Sequence, residues 1–460
     1  MGNSRQPVSP MTALEQRAAV GLAAIFALRM LGLFLILPVF ALHATELVGA
    51  TPLLTGLAVG AYGLTQALLQ IPFGMISDRV GRKPVIFVGL ALFIFGSVIA
   101  AMSTSIYGVI LGRVLQGSGA IAAAVTALTA DLTREEVRTR AMAGIGLSIG
   151  LAFALALVLG PSIAHWAGLS GIFWFTAMLA GAGILILALV VPSPDHSSVH
   201  RDVEPVASQF RGVLRNLDLL RLDFGIFTLH MVMISLFLVV PLNLKAAGLP
   251  AAHHWWLYLP VLTLSVLAMV PFIILAESKG HMKGVFLGAV ALLATAFAGL
   301  AVFHTGLIEM AFLLFLFFTA VNLLEATLPS LVAKLAPAGA KGTAMGAFST
   351  SQFTGAFLGG LLGGWVHQRL GEEAVLLFCA GAAVLWLLIA RSMSRPHGVS
   401  TQVVRVGDLA AVDAAGVQRR LLDIPGVEEA VVVAEEGLAY LKVDNRRLDS
   451  ARLQALAAQS

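Results

Sequence analysis

Residues Gly74 to Pro84 (G-M-I-S-D-R-V-G-R-K-P) set four ionisable side chains in a turn between two apolar runs, about 53–76 and 84–103. Each run is close to the roughly 20 residues that a bilayer-crossing helix needs. A stop this short forces two such helices into an antiparallel hairpin. Gly74 and Gly81 allow close backbone approach and positive φ, and Pro84 suits the first turn of the next helix. A basic loop obeying the positive-inside rule accounts for Arg79, Arg82 and Lys83, but it does not require Asp78 or Gly81.

Further runs of this kind are predicted at about 18–42, 106–130, 139–161 and 171–192, then at 222–244, 253–276, 284–303, 308–334, 342–365 and 373–391. With the first two they make twelve. Hydrophobic residues are 58% of the chain and charged ones 12%, against about 25% charged in soluble domains. That leaves too little polar surface to cover the molecule in water. The first run is far longer than the ~7–15 apolar residues of a signal peptide, so no cleavable signal is expected. The single cysteine, Cys379, rules out an intramolecular disulfide or a cysteine metal cluster.

Lys and Arg divide unequally between the two sets of loops: eighteen on one side, and Lys245 and Arg369 alone on the other. The asymmetry predicts cytoplasmic N- and C-termini. The Pro-, Ser- and charge-rich stretch 193–221 reads as a cytoplasmic linker, amphipathic from Phe210 to Leu220 and suited to lie on the membrane surface. It joins a six-helix bundle at 1–192 to a second at 222–391.

The two bundles are internally similar. Pro72-Phe73, Asp78, Gly81 and Phe87 recur as Pro271-Phe272, Glu277, Gly280 and Phe286, all displaced by the same interval. Ser278 and His281 replace Arg79 and Arg82 in the second copy, so the complete set of turn charges is expected only in the first bundle.

After a short linker at 392–400, residues 401–460 are soluble in character. Val403, Val404 and Val406 suggest a strand, Ala414–Ile424 a helix, Val427–Val433 and Leu438–Val443 a hairpin, and Leu448–Ala458 a last helix. The tail's charge balance is slightly acidic, which leaves no basic footprint for nucleic acid. No G-x-x-x-x-G-K-[ST] appears, so no nucleotide-phosphate site of that kind is expected.

The order G-x-x-x-D-R-x-G-R-K at 74–83 resembles the loop between helices 2 and 3 of major facilitator superfamily transporters. Arg113 with Gln116-Gly117 resembles that superfamily's helix 4 motif, R-x-x-x-G. With the tail, the segments Leu28–Gly32, Tyr62–Ala67, Leu111–Ile121 and Lys341–Gly346 resemble the YajR-type transporters, bacterial inner-membrane members with an appended C-terminal domain. The resemblance spans the whole chain. It implies an all-α membrane protein with twelve helices in two six-helix bundles, plus a small α+β ferredoxin-like domain. It also implies alternating access and proton-coupled efflux of small amphipathic molecules, with membrane lipid, substrate and protons as partners and no cofactor or enzymatic activity. Two alternatives stay open. An importer or uniporter of a small metabolite is one, because only Gly160-Pro161 survives of the antiporter-associated helix 5 motif. A non-transporting sensor signalling through the tail is the other. The tail's layout is also that of copper-binding ferredoxin-like domains, but 407–414 has no cysteine, which sets metal binding aside.

A few ionisable or strongly polar residues interrupt the apolar spans. An arginine inside such a span costs at least ~2.5 kcal/mol, so Arg29 and Arg113 should face an interior, either tying helices together or serving substrate and protons. Gln116 accompanies Arg113. Asn322 and Glu325 share a helix face, although Glu325 could lie near enough to the membrane surface to be merely solvated. His230 can titrate near neutral pH or simply pack. Gln66, Gln70 and Gln352 could line a cavity, whereas Gly117 and Gly119 fit close helix packing. Glu325 is read as gaining and losing an arginine partner as the cavity alternates, Arg113 or alternatively Arg29, although the two bundles' separation in the chain leaves their proximity open. The latch is read as Gly74, Asp78, Arg79, Gly81, Arg82 and Lys83 with Asp131, Arg79 pairing with Asp131. Asp78 would face the positive end of the helix that begins near Gly342. The tail is expected to fold alone and to regulate.

Overall fold

A computed structural model describes residues 10–194, 209–278, 281–393, 399–406, 411–434, 437–444, 447–449 and 452–453. Residues 195–208 of the predicted linker and most of the predicted last helix lie outside them. The first bundle contains α1 (Ala13–Phe34), α2 (Pro52–Val80), α3 (Arg82–Met102), α4 (Ile106–Ser118), α5 (Ala122–Asp131) and α6 (Glu135–Leu189). The second contains α7 (Leu217–Ala246), α8 (His254–Ser278), α9 (Met282–Val302), α10 (Leu307–Leu335), α11 (Lys341–Leu370) and α12 (Glu372–Arg391).

Local chemistry places several helix ends. Thr12 and Glu15 form a reciprocal capping box at the start of α1. The Thr51 hydroxyl accepts from the Leu54 amide, with Pro52 in the first turn of α2. Gly81, at φ +101°, both closes α2 and precedes α3, a conformation only glycine takes without strain.

Ten helical stretches among the described residues are long and apolar enough to cross a membrane. One of them is α6, whose 55 residues would run roughly 80 Å if straight. Gly168 (φ 65°, ψ −167°) instead folds it into two crossings. The predicted gap at 162–170 is therefore a single residue. The glycine-rich α11 is too weakly hydropathic to be counted, yet it is the most intimate partner of α2. With both taken into account there are twelve crossings.

Two predicted continuous spans are broken. The fourth becomes α4 and α5, because Gly119-Ala120-Ile121 leaves helical geometry (Gly119 φ −79°, ψ 56°). The first ends its regular helix at Phe34, and five residues separate it from a further helical turn at Phe40–His43. The predicted amphipathic helix 210–220 is one turn, Phe210–Val213, after which the Asn216 side chain caps α7.

The bundles meet chiefly along α2 and α11. A Cβ on Gly56 would stand 2.0 Å from the Gly360 carbonyl oxygen, one on Gly60 2.7 Å from that of Phe357, and one on Gly63 2.6 Å from that of Phe353. Helix α2 continues through the predicted turn to Val80, leaving Gly81 as the turn, and towards that turn Gln70 Nε2 of α2 donates to Thr350 Oγ1 of α11 at 2.8 Å. At Gly74 a Cβ would find only Ala123 of its own bundle within 4 Å. The backbones of the two helices thus touch on the face away from that turn, and at Gly74 no α11 atom comes within 4 Å of a Cβ. The turn's side is called the basic face below.

The tail forms a three-stranded antiparallel sheet in the order β1-β3-β2, from β1 (Val399–Arg405), β2 (Val427–Val433) and β3 (Leu438–Asp444), with α13 (Ala411–Leu422) crossing between β1 and β2. This is the split β-α-β of ferredoxin-like domains. One sheet face packs with Val417 and Leu421 of α13 on Ala430, Ala439, Leu441 and Val443. Strand β1 begins inside the stretch read as linker.

Candidate functional site

In the first bundle Arg29 is fully buried. Its Nη2 donates to Gln66 Oε1 and to the Gly119 carbonyl, both at 2.8 Å. That carbonyl is available because the helix breaks there, so Gly119 serves hydrogen bonding as well as the close packing expected of it. The Tyr62 hydroxyl also donates to Gln66 Oε1, at 3.2 Å. The guanidinium lies over the Tyr62 and Phe93 rings, 5.7 and 5.6 Å from their centroids, a distance at which cations are attracted to aromatic faces.

Arg113 is buried alongside. Its Nε and Nη2 donate to the Ala58 and Val59 carbonyls at 3.3 and 3.2 Å, and its Nη1 to Gln116 Oε1 at 2.9 Å. Gln116 Nε2 continues to Ser97 Oγ at 2.7 Å. Arg113 thus ties α4 to α2 and, through Gln116, to α3.

The second bundle holds a different cluster. His230 Nε2 lies 2.8 Å from Gln352 Nε2 and 3.5 Å from Glu325 Oε1, while Nδ1 faces the Ile226 carbonyl at 3.3 Å. These contacts fit a neutral ring that donates from Nδ1 to Ile226 and accepts the Gln352 amide at Nε2. A proton added at Nε2 would turn that nitrogen into a donor facing the Glu325 carboxylate. Glu325 lies ten residues inside the end of α10, roughly 15 Å deep, yet about 40% of its side-chain surface is accessible. It is not a helix-end residue. Asn322, one turn away, donates to Ser265 Oγ of α8 at 3.0 Å.

The expected pairing of Glu325 with Arg113 or Arg29 does not occur. Arg29 Nη2 and the three Arg113 nitrogens donate inside the first bundle, and the group facing the carboxylate is His230 Nε2, at 3.5 Å. Ser97, which extends the Arg113 network, and Ser265, which receives Asn322, carry no signal in the sequence: a serine in an apolar span is ordinary until its neighbours are known.

At the latch, Arg82 rather than Arg79 is the hub. It donates to Asp78 and, at 2.8 Å, to Ser77 Oγ, and its Nε faces Asp131 Oδ2 at 3.4 Å. The Arg82 and Asp131 side chains are buried, whereas Arg79 is exposed. The reason is directional. Arg79 lies on the outward face of the last turn of α2, whereas Arg82, past the Gly81 turn, points back between α2 and α5. Lys83 Nζ caps the Val191 carbonyl at 2.9 Å. The structure thus engages Asp78 with Arg82 of its own bundle. In the second copy Glu277 accepts from Lys334 at 3.1 Å and from Ser330 at 3.1 Å, so a carboxylate–cation contact persists although the arginines are gone.

Comparisons with known proteins agree with this architecture. The Major Facilitator Superfamily profile matches residues 22–360 and that of the YajR YAM domain residues 409–453. The chain is 48% identical over 437 residues to the inner membrane transport protein YajR of Escherichia coli (strain K12), covering 95% of this chain and 96% of that protein. It is 27% identical over 350 residues to the multidrug resistance protein MdtH of Photorhabdus laumondii, covering 74% of this chain and 84% of that one. In fold it is similar to a bacterial homologue of the human lysosomal transporter Spinster, solved in an inward-facing, unoccupied conformation. The TM-score is 0.65 at 15% identity, over 84% of this chain and 98% of that one.

Proposed function

This chain belongs to the major facilitator superfamily, and from that premise we propose that it is a proton-coupled secondary transporter exporting small amphipathic molecules across the bacterial inner membrane by alternating access. The relatives' names, an inner membrane transport protein and a multidrug resistance protein, support location and substrate class. The loop charges orient the basic face towards the cytoplasm, with both termini on that side. In this orientation the separation of the bundles at the basic face makes the structure an inward-open state. The tail at 401–460 is a separate cytoplasmic domain outside the pathway.

The single observation that carries the coupling is the His230–Glu325–Gln352 cluster, deep in the second bundle and in part accessible. A coupled cycle needs a site that binds a proton more tightly in one state than in the other. Here the proton would sit on His230 or Glu325 while the cavity is open to one side. It would leave when rearrangement of α7, α10 and α11 alters their contacts. Arg29 and Arg113 hold the first bundle as a rigid body against which this occurs. The latch acts in the opposite state, Asp78 meeting the start of α11 once the basic face closes.

The test is substrate-dependent proton flux in proteoliposomes across a panel of amphipathic compounds. Counterflow of protons and compound supports export. Parallel flow would make the protein an importer, and substrate movement without proton flux would remove the coupling.

A further inference from the structure

The turn between α10 and α11, Ala336-Pro337-Ala338-Gly339-Ala340, lies on the basic face, yet Ala336, Ala338 and Ala340 are all buried. The tail covers it. Strand residues alternate between the two faces of a sheet, and the face turned away from α13 gathers Val403, Val431, Val433, Leu438 and Tyr440. Ala338 packs into this group. The Ala338 amide donates to Glu429 Oε2 at 2.9 Å, and Gly339 at φ +74° lies against the Tyr440 ring. A sheet face this apolar would be a liability in water.

A second element grips the same turn. Gln209, at the end of the linker between the bundles, donates from Nε2 to the Gly339 carbonyl at 3.0 Å and accepts from Thr343 Oγ1 at 3.0 Å. The start of α11 is thus held by the linker and the tail together, on the side where no α11 atom comes within 4 Å of a Cβ on Gly74.

We propose that the tail's second sheet face is a docking surface for the 336–340 turn, and that docking, with Gln209, restrains the start of α11 from reaching Asp78. The tail then favours the state open at the basic face, and its release favours closure. This rests on the alternating-access reading above, but it is measured separately from transport.

The experiment uses the full chain in a Cys379→Ser background with two pairs of spin labels read by double electron–electron resonance. Labels at Gly284→Cys and Arg420→Cys report docking. Labels at Gly144→Cys on α6 and Val270→Cys on α8 report opening at the basic face. Ala338→Arg, which drives a charge into the apolar face, should lengthen and broaden the first distance and shift the second towards its shorter component. Glu429→Ala should move the open-to-closed ratio roughly two- to tenfold in the same direction, the worth of one hydrogen bond. Glu429→Gln keeps the acceptor and should behave as the parent. If Ala338→Arg leaves the tail docked, the surface is wrongly assigned. If the tail undocks while the 144–270 distances stay unchanged, docking does not bias the cycle. Either result overturns the proposal, whatever the flux assays give.

Discussion

Glu325 Oε1 on α10 lies 3.5 Å from His230 Nε2 on α7, and no arginine among the described residues takes that carboxylate. A carboxylate beside an imidazole forms a strong ion pair only when the ring carries its second proton. The contact is therefore conditional on protonation, unlike one with arginine, which keeps its charge throughout.

Glu325→Gln fixes the uncharged form of the carboxyl group. It should abolish accumulation driven by a pH gradient while sparing substrate exchange. His230→Gln retains hydrogen bonding without a titratable ring, and should shift the pH dependence of transport rather than eliminate substrate binding. Uptake and counterflow in proteoliposomes at several pH values separate these outcomes. Wild-type accumulation in Glu325→Gln would place coupling elsewhere.

Arg82 and Asp131 are both buried, so Arg82→Ala removes one side of a buried charge contact. Breaking a buried pair from one side costs about 3–5 kcal/mol. Arg79→Ala, at an exposed site, should stay within about 0.5 kcal/mol. Thermal unfolding in detergent should show a large drop in Tm for the first variant and almost none for the second.

The contact between Gly56 and Gly360 leaves no room for a side chain. Gly360→Ala would put a Cβ 2.3 Å from the Gly56 carbonyl oxygen, and overpacking of this kind costs about 1–3 kcal/mol. The strain falls only on the state closed away from the basic face. Maleimide labelling of a cysteine at Leu53, near that end, should therefore rise.

Asp78→Asn removes an anion proposed to meet the start of α11 when the basic face closes. A helix-end charge is worth about 0.3–1 kcal/mol when exposed, so the open population should grow roughly two- to fivefold. Labelling of a cysteine at Gly146, where a Cβ meets no neighbour within 4 Å, should increase accordingly. Unchanged labelling would show that Asp78 serves only Arg82 within its own bundle.

The number of crossings, the internal repeat and the element order of the tail along the chain were legible in the sequence because each rests on local or periodic physics. An apolar run of bilayer length must cross, and a pair of glycines around charges must turn. Alternating valines must lie on a sheet. The residues of the site were also legible as types, since an Arg, His or Glu inside an apolar span is costly wherever it lies. Their partners were not. Gln352 and His230 are 122 residues apart in the chain, and only the packing of α11 against α7 brings them together. The choice of Arg82 over Arg79 depended on which way the chain leaves Gly81. The carbonyl that receives Arg29 exists only because span four breaks at Gly119. Sequence determined which groups would be too polar for lipid; tertiary structure decided which of them satisfy one another, because a hydrogen bond depends on distances of tenths of an ångström between segments that composition leaves unrelated.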